Sequence, residues 1–211
     1  MTPPANFDVL TVGHSNQSAD HFLALLKNAS VTAIADVRSV PFSRRFPWFS
    51  ARTLADRLQA RGIVYGAFGS ALGGRPDDQT LYCDGVADYE AMAETPEFRA
   101  GLDEVIEGAR QHRLCLMCSE REPLDCHRCL LVGRALAKRG ITIGHILGNG
   151  VIEPHVTTED RLLALVKGGD DLFGDRSGRL ADAYRRRNRA VGAKLADRVR
   201  PSRKSGAFMP S

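Results

Sequence analysis

The run LCLMCSEREPLDCHRCLLVGRALAKRGITIGHIL, Leu114 to Leu147, reads as a strand, a helix and a second strand. Leu114 to Cys118 is an apolar stretch too short for anything but a strand. Asp125 or a neighbour opens a helix whose apolar positions include Leu130, Val132, Leu136 and Ala137 and which ends at Gly140. Ile141 to Leu147 returns to a short apolar run. A strand–helix–strand unit is the building block of a parallel sheet.

The same alternation extends upstream. Phe7 to Val12 is a β-branched run that stops at Gly13-His14, and Ser18 then caps a helical pattern with Phe22, Leu25 and Leu26 on one face. Val31 to Val37 is a second strand, Ser50 to Arg61 a helix, and Ile63 to Phe68 a third strand broken by the glycine-rich SALGGRP. Thr95 caps a helix to Gln111 with Pro96 at its favoured first position, and Thr158 to Val166 forms another. The segment holding Tyr82, Cys83 and Tyr89 shows no assignable element. The brief strands lack strict alternation, as expected when both faces are covered. The fold class is α/β: one open, mostly parallel, Rossmann-like sheet with helices on both faces and a C-terminal basic helical tail.

Composition sets the outer limits. At 211 residues, 43% hydrophobic and 26% charged, the chain can build one core. No apolar window is long enough to span a membrane and no signal segment is visible, so a cytoplasmic location is expected. The five cysteines are an odd number, and four crowd between Cys115 and Cys129, which argues for reduced thiols rather than a secreted disulfide framework. Charge is uneven. The segment from Arg176 onward carries +9 of a chain total of +4, leaving −5 for the rest. The expected division is an α/β domain over 1–168 and a basic, partly helical or disordered tail over 169–211, suited to contacting nucleic-acid phosphates or simply to being solvated.

In an open α/β sheet, ligands bind beyond the carboxyl ends of the strands. That rule collects His14 and Ser15 after the first strand, Asp36, Arg38 and Ser39 after the second, and Gly73 and Gly74 after the third. Cys118 and Glu120 come from the fourth and His145 from the last. Within this set Cys118 is the expected nucleophile, its thiolate favoured by Arg121, Arg128, His127 or a helix N-terminus. Glu120 or His127 would move protons, while His14, Arg38 and Arg128 would hold an anion and Asp36 would orient a ring or ribose. Arg75 in the SALGGRP run suits a phosphate contact, and Cys126-His127-Arg128 would open a helix whose amides favour negative charge. Cys115 and Cys129 read as core thiols. No metal or other cofactor is expected, because Cys126 and His127 would point apart on a helix. The alternative is zinc or an iron–sulfur centre on Cys118, Cys126 and Cys129, with His127 as a fourth soft ligand.

Taken in order, TVGHS, DVRSVPFS, Tyr65 followed by LGGRP, LMCSE, CHR and GHI resemble the domain of unknown function 488 family, from about Val9 to Ile146. The resemblance implies a compact α/β domain with His14, Ser15, Asp36, Arg38, Ser39, Pro41, Tyr65, Gly73, Gly74, Cys118, Glu120, Cys126, His127, Arg128 and His145 at its motif positions. It brings Tyr65 into the substrate-binding set and adds the DNA-repair label that members sometimes carry. The expected activity is a cysteine-dependent hydrolase or group transferase with Cys118, Glu120, His127, Cys126 and His14 at its centre. Its substrate would be a phosphate-bearing small molecule, such as a nucleotide, or nucleic acid. The rivals are a non-catalytic nucleic-acid-binding module and a metal-binding regulatory protein.

Overall fold

The structure is a computed structural model that describes residues 7–166 and 175–199. Six strands make one sheet: β1 Val9–Gly13, β2 Ala33–Asp36, β3 Val64–Ala67, β6 Leu114–Cys118, β7 Ile143–Ile146 and β8 Ile152–Pro154. The two remaining strands, β4 Tyr82–Cys83 and β5 Val86–Ala87, form a small separate hairpin. The sheet order is β3-β2-β6-β1-β7-β8, with every neighbouring pair parallel except β7 and β8. The expected open, mostly parallel sheet is therefore the observed one. The antiparallel edge strand β8 and the hairpin are additions, both too short to leave a periodic signal.

The helices are α1 Ala19–Asn28, α2 Ala51–Gln59, α3 Gly69–Leu72, α4 Tyr89–Ala93, α5 Pro96–Gln111, α6 Arg134–Lys138, α7 His155–Leu165 and α8 Arg176–Val199. Local chemistry fixes several starts. Ser18 accepts a hydrogen bond from the His21 amide, and Thr95 accepts one from the Phe98 amide with Pro96 at the first position. Alternate strand residues feed two cores. Leu10, Val12, Ile34, Cys115 and Met117 pack with α1 and α2, whereas Val9, Ala35, Leu114, Leu116 and Cys118 pack on the opposite face with α5 and the helix leading into α6.

The helix expected to open at Asp125 or a neighbour does so, with helical backbone from His127 onward and the Leu130 amide donating to Cys126 O at 3.0 Å. Pro123–Asp125 makes a single 3₁₀ turn, the extended Cys126 leads into helical backbone at His127, and a π-helical stretch, Arg128–Gly133, runs into α6. The last expected helix of the domain starts at His155 rather than Thr158. The basic segment is helical over Arg176–Val199, and it is docked, with Ala183, Tyr184 and Val191 buried against the second core. The expected boundary at 168–169 and residues 200–211 lie outside the described residues. Among the described residues no helix is long and apolar enough to cross a membrane.

Candidate functional site

The carboxyl ends of β1, β2 and β6 are held in register past the sheet itself. Gly13 pairs with Cys118, the His14 amide donates to Cys118 O at 2.9 Å, and the Ser15 amide donates to Ser119 O at 2.8 Å. The contact is so close that a Cβ on Gly13 would sit 1.8 Å from Glu120 O, so only glycine lets the two strand ends meet.

A buried network closes the β2 side. Arg38 donates to both Asp36 oxygens, through Nε at 2.8 Å and Nη2 at 2.6 Å, and Tyr65 donates its hydroxyl to Asp36 Oδ2 at 2.8 Å. His14 donates from Nδ1 to Ser15 O at 2.9 Å, which leaves Nε2 to accept from Arg38 Nη1 at 3.2 Å. The ring stacks on Phe49 with centroids 4.2 Å apart. Burial lowers the His14 pKa to about 4, with the Arg38 charge adding to the effect, so the imidazole is neutral at pH 7. Burial and the Asp36 carboxylate push the Tyr65 phenol up. The guanidinium of Arg38 is thus held by internal partners, Asp36 and His14, at the edge of the cleft.

The β6 side holds the thiols. Cys118 ends the strand and the extended Cys126 turns back toward it, so that His127 Nδ1 lies 3.6 Å from Cys118 Sγ and 3.9 Å from Cys126 Sγ. His127 Nε2 donates to Val37 O at 2.8 Å. Because a carbonyl only accepts, the neutral ring carries its lone pair on Nδ1, toward the sulfurs, whereas the imidazolium donates to them from the same atom. The expectation that Cys126 and His127 point apart fails for one reason: Cys126 is extended, and helical backbone begins only at His127.

Arg128 is fully buried and pairs with no carboxylate among the described residues. It donates to the backbone oxygens of Glu120 and Arg121, stapling the loop after β6, while its Nε has no hydrogen-bond partner among the described residues. Burial pushes the Cys126 thiol up, but the hydrogen bond with Cys118, the Arg128 charge and the His127 contact outweigh it and bring Cys126 well below the ordinary thiol value. Cys118 stays well above that value through the same hydrogen bond and its own burial. Arg128 thus favours negative charge on the thiol pair, with Cys126 the more acidic of the two.

These groups floor a hollow of about 140 Å³ lined by Ser39, Gly74, Arg75, Cys118, Cys126 and His127, with Glu120 and Asp125 as its acids. A neighbouring hollow of about 340 Å³, lined by His14, Ser15, Phe42 and Arg45, shares Arg38, Ser119 and Glu120 with the first. Gly74 is the counterpart of Gly13, since a Cβ there would lie 2.6 Å from His127 Cγ. Gly73 packs against Ser39, whose Oγ accepts from the Arg75 amide at 3.0 Å. Most of the expected residues thus converge on one rim. Arg45, Phe42, Ser119 and Asp125 join them without having been singled out, being ordinary loop residues in the sequence.

His145 does not reach the rim. It is completely buried in β7, where Nδ1 accepts from Thr11 Oγ1 at 2.7 Å and Nε2 donates to His155 Nδ1 at 2.9 Å. His155 in turn meets Tyr184 of α8 at 3.1 Å, and Tyr184 donates to Glu159 at 3.1 Å. Cys129 lies beside His145 and His155, so it does not join Cys118 and Cys126 in a three-thiol set. Burial pushes the Cys129 thiol up, in keeping with a core thiol.

Comparison with known proteins yields one relationship. Neither curated proteins nor solved structures include a match to the chain. A family model matches residues 18–135, a span that includes the β2 network and the thiols but leaves His14, Ser15 and His145 outside it. The chain belongs to the family described as domain of unknown function DUF488.

Proposed function

We propose that the protein is an enzyme that hydrolyses, or transfers a group from, a phosphate-bearing nucleotide or nucleic acid, with Cys118, Cys126 and His127 as the reacting centre. The observation that carries this reading is convergence: two thiols and an imidazole face one small polar hollow at the carboxyl ends of parallel strands. With Arg38 and Arg128 engaged inside the protein, the substrate's negative charge falls to Arg75 and Arg45, which line the two adjoining hollows. Phe42, 66% exposed at the larger hollow, offers a face for a base to stack on. Glu120 lines both hollows and is the group placed to move a proton between them.

A panel of nucleoside phosphates and short single-stranded oligonucleotides, some carrying damaged bases, tests the reading by chromatography of the products. Turnover of one class is expected, falling about 100-fold or more in Cys126→Ser, while Arg75→Ala mainly raises KM. No product above background from any member of the panel would reject it.

The rival reading, a binding module that uses the basic helix as its surface, draws less support. Arg176, Arg185, Arg186 and Arg187 of α8 pair with Asp160, Glu90, Asp182 and Asp125, so much of that charge is already answered within the protein. Tight, steeply salt-dependent oligonucleotide binding without turnover would favour it instead.

A further inference from the structure

We propose that Cys118, Cys126 and His127 form a three-ligand site for a zinc-class divalent cation, whose fourth position opens into the hollow. The inference rests on the reading above and names the group at its centre.

Three observations converge. The distances are those of a tetrahedron's edges: ordinary zinc–sulfur and zinc–nitrogen bonds place sulfur and nitrogen about 3.6 Å apart. His127 Nδ1 lies 3.6 and 3.9 Å from the two sulfurs, and the three ligand atoms lie within 4.8 Å of one another. The imidazole is also oriented from behind, its Nε2 donating to Val37 O at 2.8 Å, which is how a metal-binding histidine is held in the required tautomer. Finally, all three residues line the same hollow, so a bound cation would have one position left for water or a substrate oxygen.

The donor set selects the metal. Two thiolates and an imidazole suit zinc or a similar borderline ion rather than magnesium or calcium, and two cysteines with a single histidine fall one ligand short of an iron–sulfur cluster. Two thiolates cancel the charge of a divalent ion, their protons leaving to solvent on binding. The buried Arg128 then leaves the centre net positive, which favours an anionic fourth ligand such as a phosphate oxygen. The second cluster, Cys129 with His145 and His155, lacks this readiness, because both nitrogens of His145 and of His155 are already in hydrogen bonds.

The test uses the full-length protein, reduced with a phosphine, stripped with a chelator and titrated with cobalt(II) and then zinc. One equivalent of cobalt is expected to give a thiolate charge-transfer band in the near ultraviolet and tetrahedral d–d absorption in the visible, both bleached by one equivalent of zinc. Both signals should persist in Cys83→Ser, an exposed cysteine away from the site, and vanish in Cys118→Ser, Cys126→Ser and His127→Gln. If wild-type protein gives no tetrahedral cobalt spectrum, or if all three variants retain it, the site is overturned. Its failure is distinct from that of the proposed activity. Metal bound with no turnover would leave this inference standing alone, and turnover by the stripped protein with no metal uptake would leave only the activity.

Discussion

Asp36 is the residue on which the β2 side of the cleft depends. It is 1% exposed and takes two hydrogen bonds from the Arg38 side chain and one from Tyr65, so its removal would strand a buried guanidinium. Asp36→Ala should therefore cost about 3–5 kcal/mol, most of it the penalty of the unpaired Arg38. Tyr65→Phe removes one hydrogen bond from a half-buried phenol and should cost about 1 kcal/mol. Urea denaturation midpoints check both, and equal losses for the two variants would contradict this division. Gly74→Ala tests the other wall. Its Cβ would overlap the His127 ring, and a cost of about 1–3 kcal/mol is expected together with at least tenfold weaker cobalt binding in titration. The two-residue spacing of Asp36 and Arg38 along a strand already placed them on one side. What sequence alone left open was their burial, since a pair facing each other and a pair facing a ligand are spaced identically.

At the scale of elements, the decisive feature is the extended Cys126 immediately before the helix after β6. Apolar spacing from Leu130 onward announced the helix, but periodicity says little about where a helix begins, and the start determines whether Cys126 faces Cys118. The thiol pair was thus half legible, with its residues identified and their meeting missed. The docking of α8 was hidden for another reason. Leu180, Ala183, Tyr184 and Val191 are spaced for one helical face, yet arginines surround them and the composition reads as a solvated tail. Tyr184 is the point of attachment, its hydroxyl joining His155 and Glu159 beneath the helix. Tyr184→Phe should cost about 1–2 kcal/mol and selectively speed amide exchange in α8. Unchanged exchange there would mean that apolar packing alone holds the helix.

For the molecule as a whole, three buried histidines set the response to acid. Burial lowers His14 and His155 to about 4 and holds His145 well below its ordinary value. In the unfolded chain each would take up a proton near pH 6.5, whereas in the folded protein His14 and His155 resist until about pH 4 and His145 is shifted in the same direction. Between those limits the unfolded state binds more protons, so stability rises with pH and is lost as pH falls from about 6.5 toward 4. For His14 and His155 the depression from 6.5 to about 4 corresponds to at most about 3.5 kcal/mol each, since each pKa unit is about 1.4 kcal/mol. Glu159 acts in the opposite sense. Burial raises its pKa, so the folded state takes up that proton earlier and returns part of the loss on acidification. The expected net result is a drop of several kcal/mol between pH 7 and pH 4.5, read from urea midpoints at fixed ionic strength. His155→Gln should be less stable than the wild type at pH 7 yet lose less on acidification, because its share of the proton linkage is gone. A wild-type midpoint that stays flat across this range would show that these rings are not held neutral in the fold.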